Sequence, residues 1–354
     1  MRRKNLLKTV FALCLMALCW LPMSAQSSNV RGDVDMDGSV TIADVTTLID
    51  YLLGYNSNIN MANADCDYDG SVTIGDVTAI IDCLINGEWP EPQQYEPQYE
   101  TFTVRGVTFR MVKVEGGTFM MGDDEDEEIA EQGWPPAAPV HQVTVSDYSI
   151  GETEVTQALW YAVMEGLPEY FESEYNPDCP INMVIWYSWP NYPEPDCDIQ
   201  VFLERLNQLT GKNFRLPTEA EWEFAARGGN YTHGYKYAGS NNIDEVGWYG
   251  WGGNMPGDEF YWYEGQPVAT LAPNELGIYD MSGNVGEWCF DFSDIYPSEP
   301  QINPAVTAPE DYEWPYARIV RGGCGFGELQ CRVACRWEGH GHSCDHSIGF
   351  RLAL

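Results

Sequence analysis

Carboxylates at short fixed intervals are the first chemistry this chain offers. In D-V-D-M-D-G-S-V-T-I-A-D, residues 33–44, Asp33, Asp35, Asp37 and Asp44 take positions 1, 3, 5 and 12, with Gly38 at 6 and the carbonyl of Ser39 at 7. The text returns as D-C-D-Y-D-G-S-V-T-I-G-D, which supplies Asp65, Asp67, Asp69, Ser71 and Asp76. Oxygen ligands so spaced surround one divalent cation while glycine makes the sharp turn, and without a cation the aspartates repel one another. A repeat of this kind marks a duplicated unit. A second candidate is N-E-L-G-I-Y-D-M-S-G-N-V-G-E-W, residues 274–288, where Gly277, Gly283 and Gly286 let the backbone turn and Asp280, Asn284 and Glu287 offer oxygens. Residue types leave two readings open: a cation held by carbonyls and carboxylates, or a metal-free hydrogen-bonded loop. A third lies near the end, where Cys331 and Cys335 precede E-G-H-G-H-S-C-D-H with His340, His342, Cys344 and His346 at alternate positions. Thiols and imidazoles suit zinc or copper if that stretch is extended; an exposed polar loop is the simpler reading.

These groups need elements to carry them. Each acidic loop runs into a segment of helical spacing: Val45, Leu48, Ile49, Leu52 and Leu53 after the first, Val77, Ile80, Ile81, Leu84 and Ile85 after the second. Two such apolar faces close a small core, and a unit this small draws folding free energy from its cations. E-P-Q-Q-Y-E-P-Q-Y-E-T has no apolar period and reads as a linker over 90–101. Beyond it, many tryptophans and glycines with few periodic runs predict an α+β domain over 102–354 with much irregular structure. Its clearest helices are 156–165, after a capping threonine, and 218–227, where Thr218 and Glu221 form a capping box.

Composition narrows the class. Arg2, Arg3, Lys4 and Lys8 precede an apolar run from Val10 to Leu21 and then Met-Ser-Ala, which predicts a signal peptide over 1–25 and a secreted chain. Cys19 invites a lipoprotein reading, but Met-Ala-Leu before it departs from the usual small residue, so that anchor ranks second. No later stretch is apolar and long enough to span a bilayer. With 54 acidic and 18 basic residues and a formal charge of −36, the chain is unsuited to nucleic acid, whose phosphates need a basic surface. Removal of the leader leaves an odd number of cysteines in an oxidising compartment. Cys66 with Cys83, and Cys179 with Cys197, are the expected local bridges.

Aspartate at position 12, and a helix only after each loop, make residues 28–89 resemble a type I dockerin. That resemblance implies two calcium ions and docking to a cohesin-type module, often in polysaccharide-degrading assemblies; the positions that help choose the cohesin are Ile42-Ala43 and Ile74-Gly75. The later domain resembles the formylglycine-generating enzyme, or sulfatase-modifying factor, family. The matching text is M-V-K-V-E-G-G-T-F-M-M-G at 111–122, I-G-E-T-E-V-T-Q at 150–157, R-L-P-T-E-A-E-W-E-F-A-A-R-G-G at 215–229, the 274–288 loop, R-G-G at 321–323 and I-G-F-R at 348–351. The family implies a fold related to C-type lectins. Its calcium run N-x-x-G-x-A/V-x-E falls on Asp280, Gly283, Val285 and Glu287, which implies a third calcium; its other calcium site has no match at Val246-Gly247-Trp248.

The family's activity oxidises a substrate cysteine to formylglycine through two cysteines, spaced C-x-x-x-x-C, that bind copper. Here G-G-C-G-F-G-E-L-Q-C-R-V-A-C-R is about four residues short, Cys324 replaces a serine and Gly327 stands where the first cysteine belongs. Cys331 and Cys335 are spaced C-x-x-x-C at positions the family does not use for catalysis, so neither copper nor oxidase activity carries over. The last 34 residues instead alternate family framework with positions of unrelated chemistry, a patchwork that resembles variable proteins diversified by retroelements. Most of the variable positions are reachable from an asparagine codon by changing adenines, although Glu328, Gln330, Trp337 and Glu338 are not. This reading predicts a ligand-binding face in which Phe326, Leu329 and Trp337 give apolar area and His340, His342, Asp345 and His346 give polar reach.

Overall fold

The computed structural model describes residues 30–55, 59–67, 72–89, 95–123, 136–169, 171, 174–187, 196–250, 265–307, 317–323 and 327–354. The expected signal peptide, Asp69, Ser71, Cys324 and Phe326 lie outside the described residues. Contacts divide the chain near residue 92 into two units. Among the described residues no helix is long and apolar enough to cross a membrane.

In the first unit, α1 (Ile42–Leu52) and α3 (Ile74–Asn86) follow the two acidic loops, with the short α2 (Met61–Ala64) between them. Both long helices start on a capping box. Thr41 accepts from the Ala43 N–H while the Asp44 carboxylate accepts from Thr41, and Thr73 with Asp76 repeats the arrangement. Gly87, at φ 74°, ends α3 in a conformation that favours glycine. The core is Val34, Val45, Leu48, Ala64, Cys66, Val77, Ala79 and Ile80. The expected apolar stripes are buried only over their first turns, since Leu52, Leu53, Leu84 and Ile85 stay exposed where this thin unit has no layer to cover them. Cys66 and Cys83 are thiols rather than the expected bridge; Cys66 Sγ donates to the Asn63 carbonyl at 3.2 Å.

The second unit is built on three small sheets. In one, β1 (Tyr99–Val104), β2 (Val107–Val114) and β5 (Tyr148–Gly151) run antiparallel in that order. In another, β3 (Gly117–Met121) and β4 (His141–Val145) are joined by β7 (Gln301–Ile302). The third holds β6 (Gly286–Phe292), β8 (Ala317–Arg321), β9 (Trp337–His340) and β10 (Ile348–Gly349) in the order β10-β6-β8-β9. Helices α4 (Gln157–Met164), α5 (Ile199–Thr210), α6 (Glu219–Ala226) and α7 (Ile243–Val246) pack around them. Helices α4 and α6 begin at Thr156 and Thr218, as their caps predict, and Thr218 forms the full box with Glu221. The expected linker extends too far: β1 begins at Tyr99, and Tyr95 already packs on the second unit's core.

Among the described residues, two large apolar clusters fill this unit beside a small third one of Tyr237, Ile243, Val246 and Cys331. Trp222, Phe224, Ile278, Met281 and Ile319 belong to one, and Trp160, Phe202, Trp288, Val320 and Phe350 to the other. Strand β6 lends residues to both, because alternate side chains of a strand face opposite ways. The loop before it is therefore held from two sides.

Candidate functional site

The first acidic loop brings Asp33, Asp35 and Asp37 together, with one carboxylate oxygen of each within 4.8 Å of the others. Asp44 does not join them. It is fully buried, and its oxygens accept from the N–H groups of Val34 (2.8 Å), Asp35 (3.2 Å) and Thr41 (2.8 Å), so position 12 closes the loop onto the helix start. In the second loop Asp65, Asp67 and Asp76 share one 4.8 Å cluster. Burial pushes the Asp76 carboxyl up while backbone donors from Thr73 and Cys66 oppose that shift. The donor set fits calcium, since each loop gathers three hard oxygens that repel without a cation.

The 274–288 loop resolves differently. Asp280 and Asn284 have φ of 59° and 58°, and Gly277 and Gly283 are also left-handed, so the chain coils tightly before β6. Glu287, at its end, is fully buried. Its Oε2 accepts from Trp222 Nε1 and Arg351 Nε, both at 2.7 Å, and its Oε1 accepts from Arg351 Nη2 at 2.6 Å. Arg351 also donates to the carbonyls of Gly151 and Tyr279, at 2.9 Å each. Asp280 accepts from the Ala269 N–H at 2.7 Å, and Glu154 accepts from Asn284 Nδ2 (2.9 Å) and the Val285 N–H (3.0 Å). Burial raises Asp280 to about 6; burial and the charges of Asp280 and Glu287 raise Glu154 well above the usual range. Of the calcium shell expected of Asp280, Gly283, Val285 and Glu287, the Glu287 carboxylate is engaged at both oxygens by protein donors, and Asp280 at one.

A second buried network holds the C-terminal segment. Arg321, ending β8, donates through Nε to Glu219 Oε1 at 3.0 Å, through Nη1 to the carbonyls of Val333 and Cys335 at 3.0 Å, and through Nη2 to Glu223. Arg336 makes a bidentate pair with Glu219, 2.8 Å at each contact, and Tyr296 Oη donates to Glu219 at 2.9 Å. Each carboxylate meets guanidinium, which is what permits charge at this depth. Helix α6 thereby grips the segment at Arg321 and at Arg336. Between them Cys331 is buried, with Sγ 3.4 Å from the Gly327 carbonyl, and Cys335 lies in the core with its thiol pushed up to about 12 by burial.

Of the face expected to bind ligand, His340 and Asp345 are exposed, and His342 and His346 are half-buried. The rings of His340 and His342 lie 6.2 Å apart. Asp345 locks its own turn by accepting from the N–H and hydroxyl of Ser347, at 2.8 and 2.5 Å. Leu329 and Trp337 depart from expectation. Pairing of β9 with β8 turns Trp337 inward, where its ring fills the space a Cβ on Gly286 would need, and Leu329 rests on the core from a 3-10 turn. Neighbouring His340 and Glu338 point outward by the strand's alternation. Glu154, Glu219, Glu223, Arg321, Arg336 and Arg351 all stand within the quoted motifs, but the motif text assigns them no pairing; the pairings emerge only from the fold.

Comparison with known proteins agrees with this division. The family description for the type I dockerin domain matches residues 31–85, and that for the sulfatase-modifying factor enzyme 1-like domain matches residues 98–354. A chaperone protein, LppX, of Paenibacillus barcinonensis is 34% identical over 233 residues, 55% of this chain and 75% of its own. A formylglycine-generating enzyme of Streptomyces coelicolor is 30% identical over 294 residues, 68% of this chain and 88% of its own. Among solved structures, Treponema denticola variable protein 1 superposes with a TM-score of 0.58 at 27% identity, covering 73% of this chain and 99% of that one.

Proposed function

Because this chain belongs to the sulfatase-modifying factor family, with a C-type-lectin-like fold, and carries a type I dockerin ahead of that domain, we propose that it is an exported docking protein that captures a ligand and does not oxidise cysteine. Calcium loads the acidic loops, one ion each, and the dockerin then plugs into a cohesin-type module, in keeping with polysaccharide-degrading assemblies. Ile42 and Leu53 in the first repeat, and Ile74 and Ile85 in the second, are exposed eleven residues apart, so each pair shares one side of its helix. Apolar residues so presented favour a protein partner.

One observation carries the non-oxidising reading. A copper(I) dithiolate needs two thiolates open to the metal and substrate, but Cys335 is buried in the core with its thiol raised to about 12, and Cys331 is buried against Gly327. Above this framework lie loops of mixed chemistry, and the likeness to Treponema denticola variable protein 1 supports capture through that surface. The oxidase reading is the alternative, favoured by the Streptomyces coelicolor relative. Incubation with copper, oxygen and a Cys-x-Pro-x-Arg peptide separates the two. Capture expects an unchanged peptide mass, and a copper-dependent loss of about 18 mass units, the cysteine-to-formylglycine difference, restores the oxidase.

A further inference from the structure

The second unit contains an open cleft of about 560 Å³ at the ends of β2 and β5, where none of the acidic loops, buried pairs or C-terminal loops described above takes part. Its size lies in the range of small-ligand sites. One wall is aromatic. Tyr95, from the stretch before β1, and Tyr231, after α6, stand with ring centroids 4.2 Å apart and tilted by 38°. Both are half-buried, and Tyr95 Oη donates to the Lys113 carbonyl at 3.2 Å, which fixes its ring.

Polar groups of mixed sign line the rest. Lys113 is exposed and its ammonium forms no ion pair among the described residues. Glu115 and Asp147 add carboxylates, and Gln98 an amide. Asp147 is positioned by accepting from the Gly116 N–H at 2.8 Å, and Gln98 through its carbonyl, which accepts from the Lys113 N–H at 2.8 Å. Below them Ser149 and Leu354 exchange backbone hydrogen bonds of 3.0 and 2.8 Å, so a rigid sheet end holds the site.

We propose that this cleft binds a neutral oligosaccharide. A tyrosine wall stacks the apolar face of a sugar ring while an ammonium, an amide and carboxylates bracket its hydroxyls, a division that a purely apolar ligand would leave unused. Two carboxylates in a chain of formal charge −36 oppose uronates and sulfated glycans. Lys113 opposes a cationic ligand. The cleft acts as a second recognition site, independent of the C-terminal face and of whether that face captures anything.

Calorimetric titration of the full chain with cellohexaose, xylohexaose, maltohexaose and mannohexaose, each to about 20 mM, tests it, since affinities weaker than that are not specific recognition. At least one sugar is expected to bind saturably, Lys113→Met to weaken it at least about tenfold with an unchanged thermal midpoint, and Tyr95→Ala to weaken it at least about tenfold while the chain stays folded by circular dichroism. His340→Ala, outside the cleft lining, leaves it intact. The proposal is overturned if no sugar saturates, if binding survives both cleft variants, or if pentalysine binds there and the sugars do not.

Discussion

Arg321 and Arg336 meet on one carboxylate oxygen: the Nε of each reaches Glu219 Oε1, at 3.0 and 2.8 Å, with all three residues buried. The intervening segment holds Cys331 and Cys335, the only described cysteines between the two clamps and, by spacing, not the family's catalytic pair. It is therefore a span clamped at each end onto α6, and its outer side chains can change without loosening the fold.

Glu219→Ala leaves two buried guanidiniums facing each other with their shared counter-charge gone. Breaking one partner out of a buried ion pair costs about 3–5 kcal/mol. Urea unfolding should show a loss of that order, with Glu219→Gln intermediate. A loss under about 1 kcal/mol would mean that water or a rearranged Glu223 replaces the carboxylate and that the clamp is not what holds the segment.

Glu287 gives a sharper choice between two roles. As the partner of Arg351 and Trp222, its replacement by Gln should destabilise the domain by about 2–4 kcal/mol while leaving the calcium count of the full chain at two. As a calcium ligand, the same change would lower the count from three to two. Calorimetric calcium titration of both proteins, alongside urea curves, decides it.

Asp291 makes stability depend on pH with an unusual sign. It accepts from the N–H groups of Glu219 and Val306, both at 2.7 Å, yet burial and the Glu219 charge raise its carboxyl to about 7. The folded chain thus holds this proton more tightly than the unfolded chain does. Its contribution is fully present below about pH 4 and is lost as pH rises through about 7. Between about pH 5 and pH 8 the urea midpoint should fall more steeply in the parent than in Asp291→Asn, which cannot titrate. Equal slopes would show that Asp291 is ionised throughout.

What the sequence made legible was local. The acidic repeats, the caps at Thr41, Thr73, Thr156 and Thr218, and the glycines of the 274–288 loop act within a few residues, so their spacing displays their role. The partners of Arg321, Arg336 and Arg351 lie far away in the chain, and no periodicity announces a guanidinium that crosses the domain to find its carboxylate. Trp337 misled for the opposite reason. Amid glycines and histidines it read as surface, but strand pairing, a property of β8 as much as of β9, turns it inward. Helix α5 is not among the helices that the spacing singles out, although Asp198 caps its start and Gly211 its end.

The dockerin loops should take up two calcium ions per chain. Asp35→Ala removes an oxygen from the first cluster and should abolish one of the two uptake steps while sparing the other. Helix content by circular dichroism should rise with calcium, since Asp44 and Asp76 join each loop to the first turn of its helix. A single step, or two steps in Asp35→Ala, contradicts the assignment.

The C-terminal face separates capture from support within one strand. On β9, Trp337 leans on the core and His340 points outward, so Trp337→Ala should cost about 3 kcal/mol as a large-to-small core change. His340→Ala should stay within about 0.5 kcal/mol of the parent, as surface changes do, and His342→Ala, at a half-buried position, within about 1 kcal/mol. Binding should follow the reverse order: in a screen of glycans and surface proteins, the histidine pair loses the ligand while folded stability is kept. Sibling genes should vary at these outward positions and keep Arg321, Arg336 and Arg351, whose partners lie in the buried framework. If siblings instead hold His340, His342 and His346 constant, or the histidine variant binds whatever the parent binds, recognition does not reside in this loop.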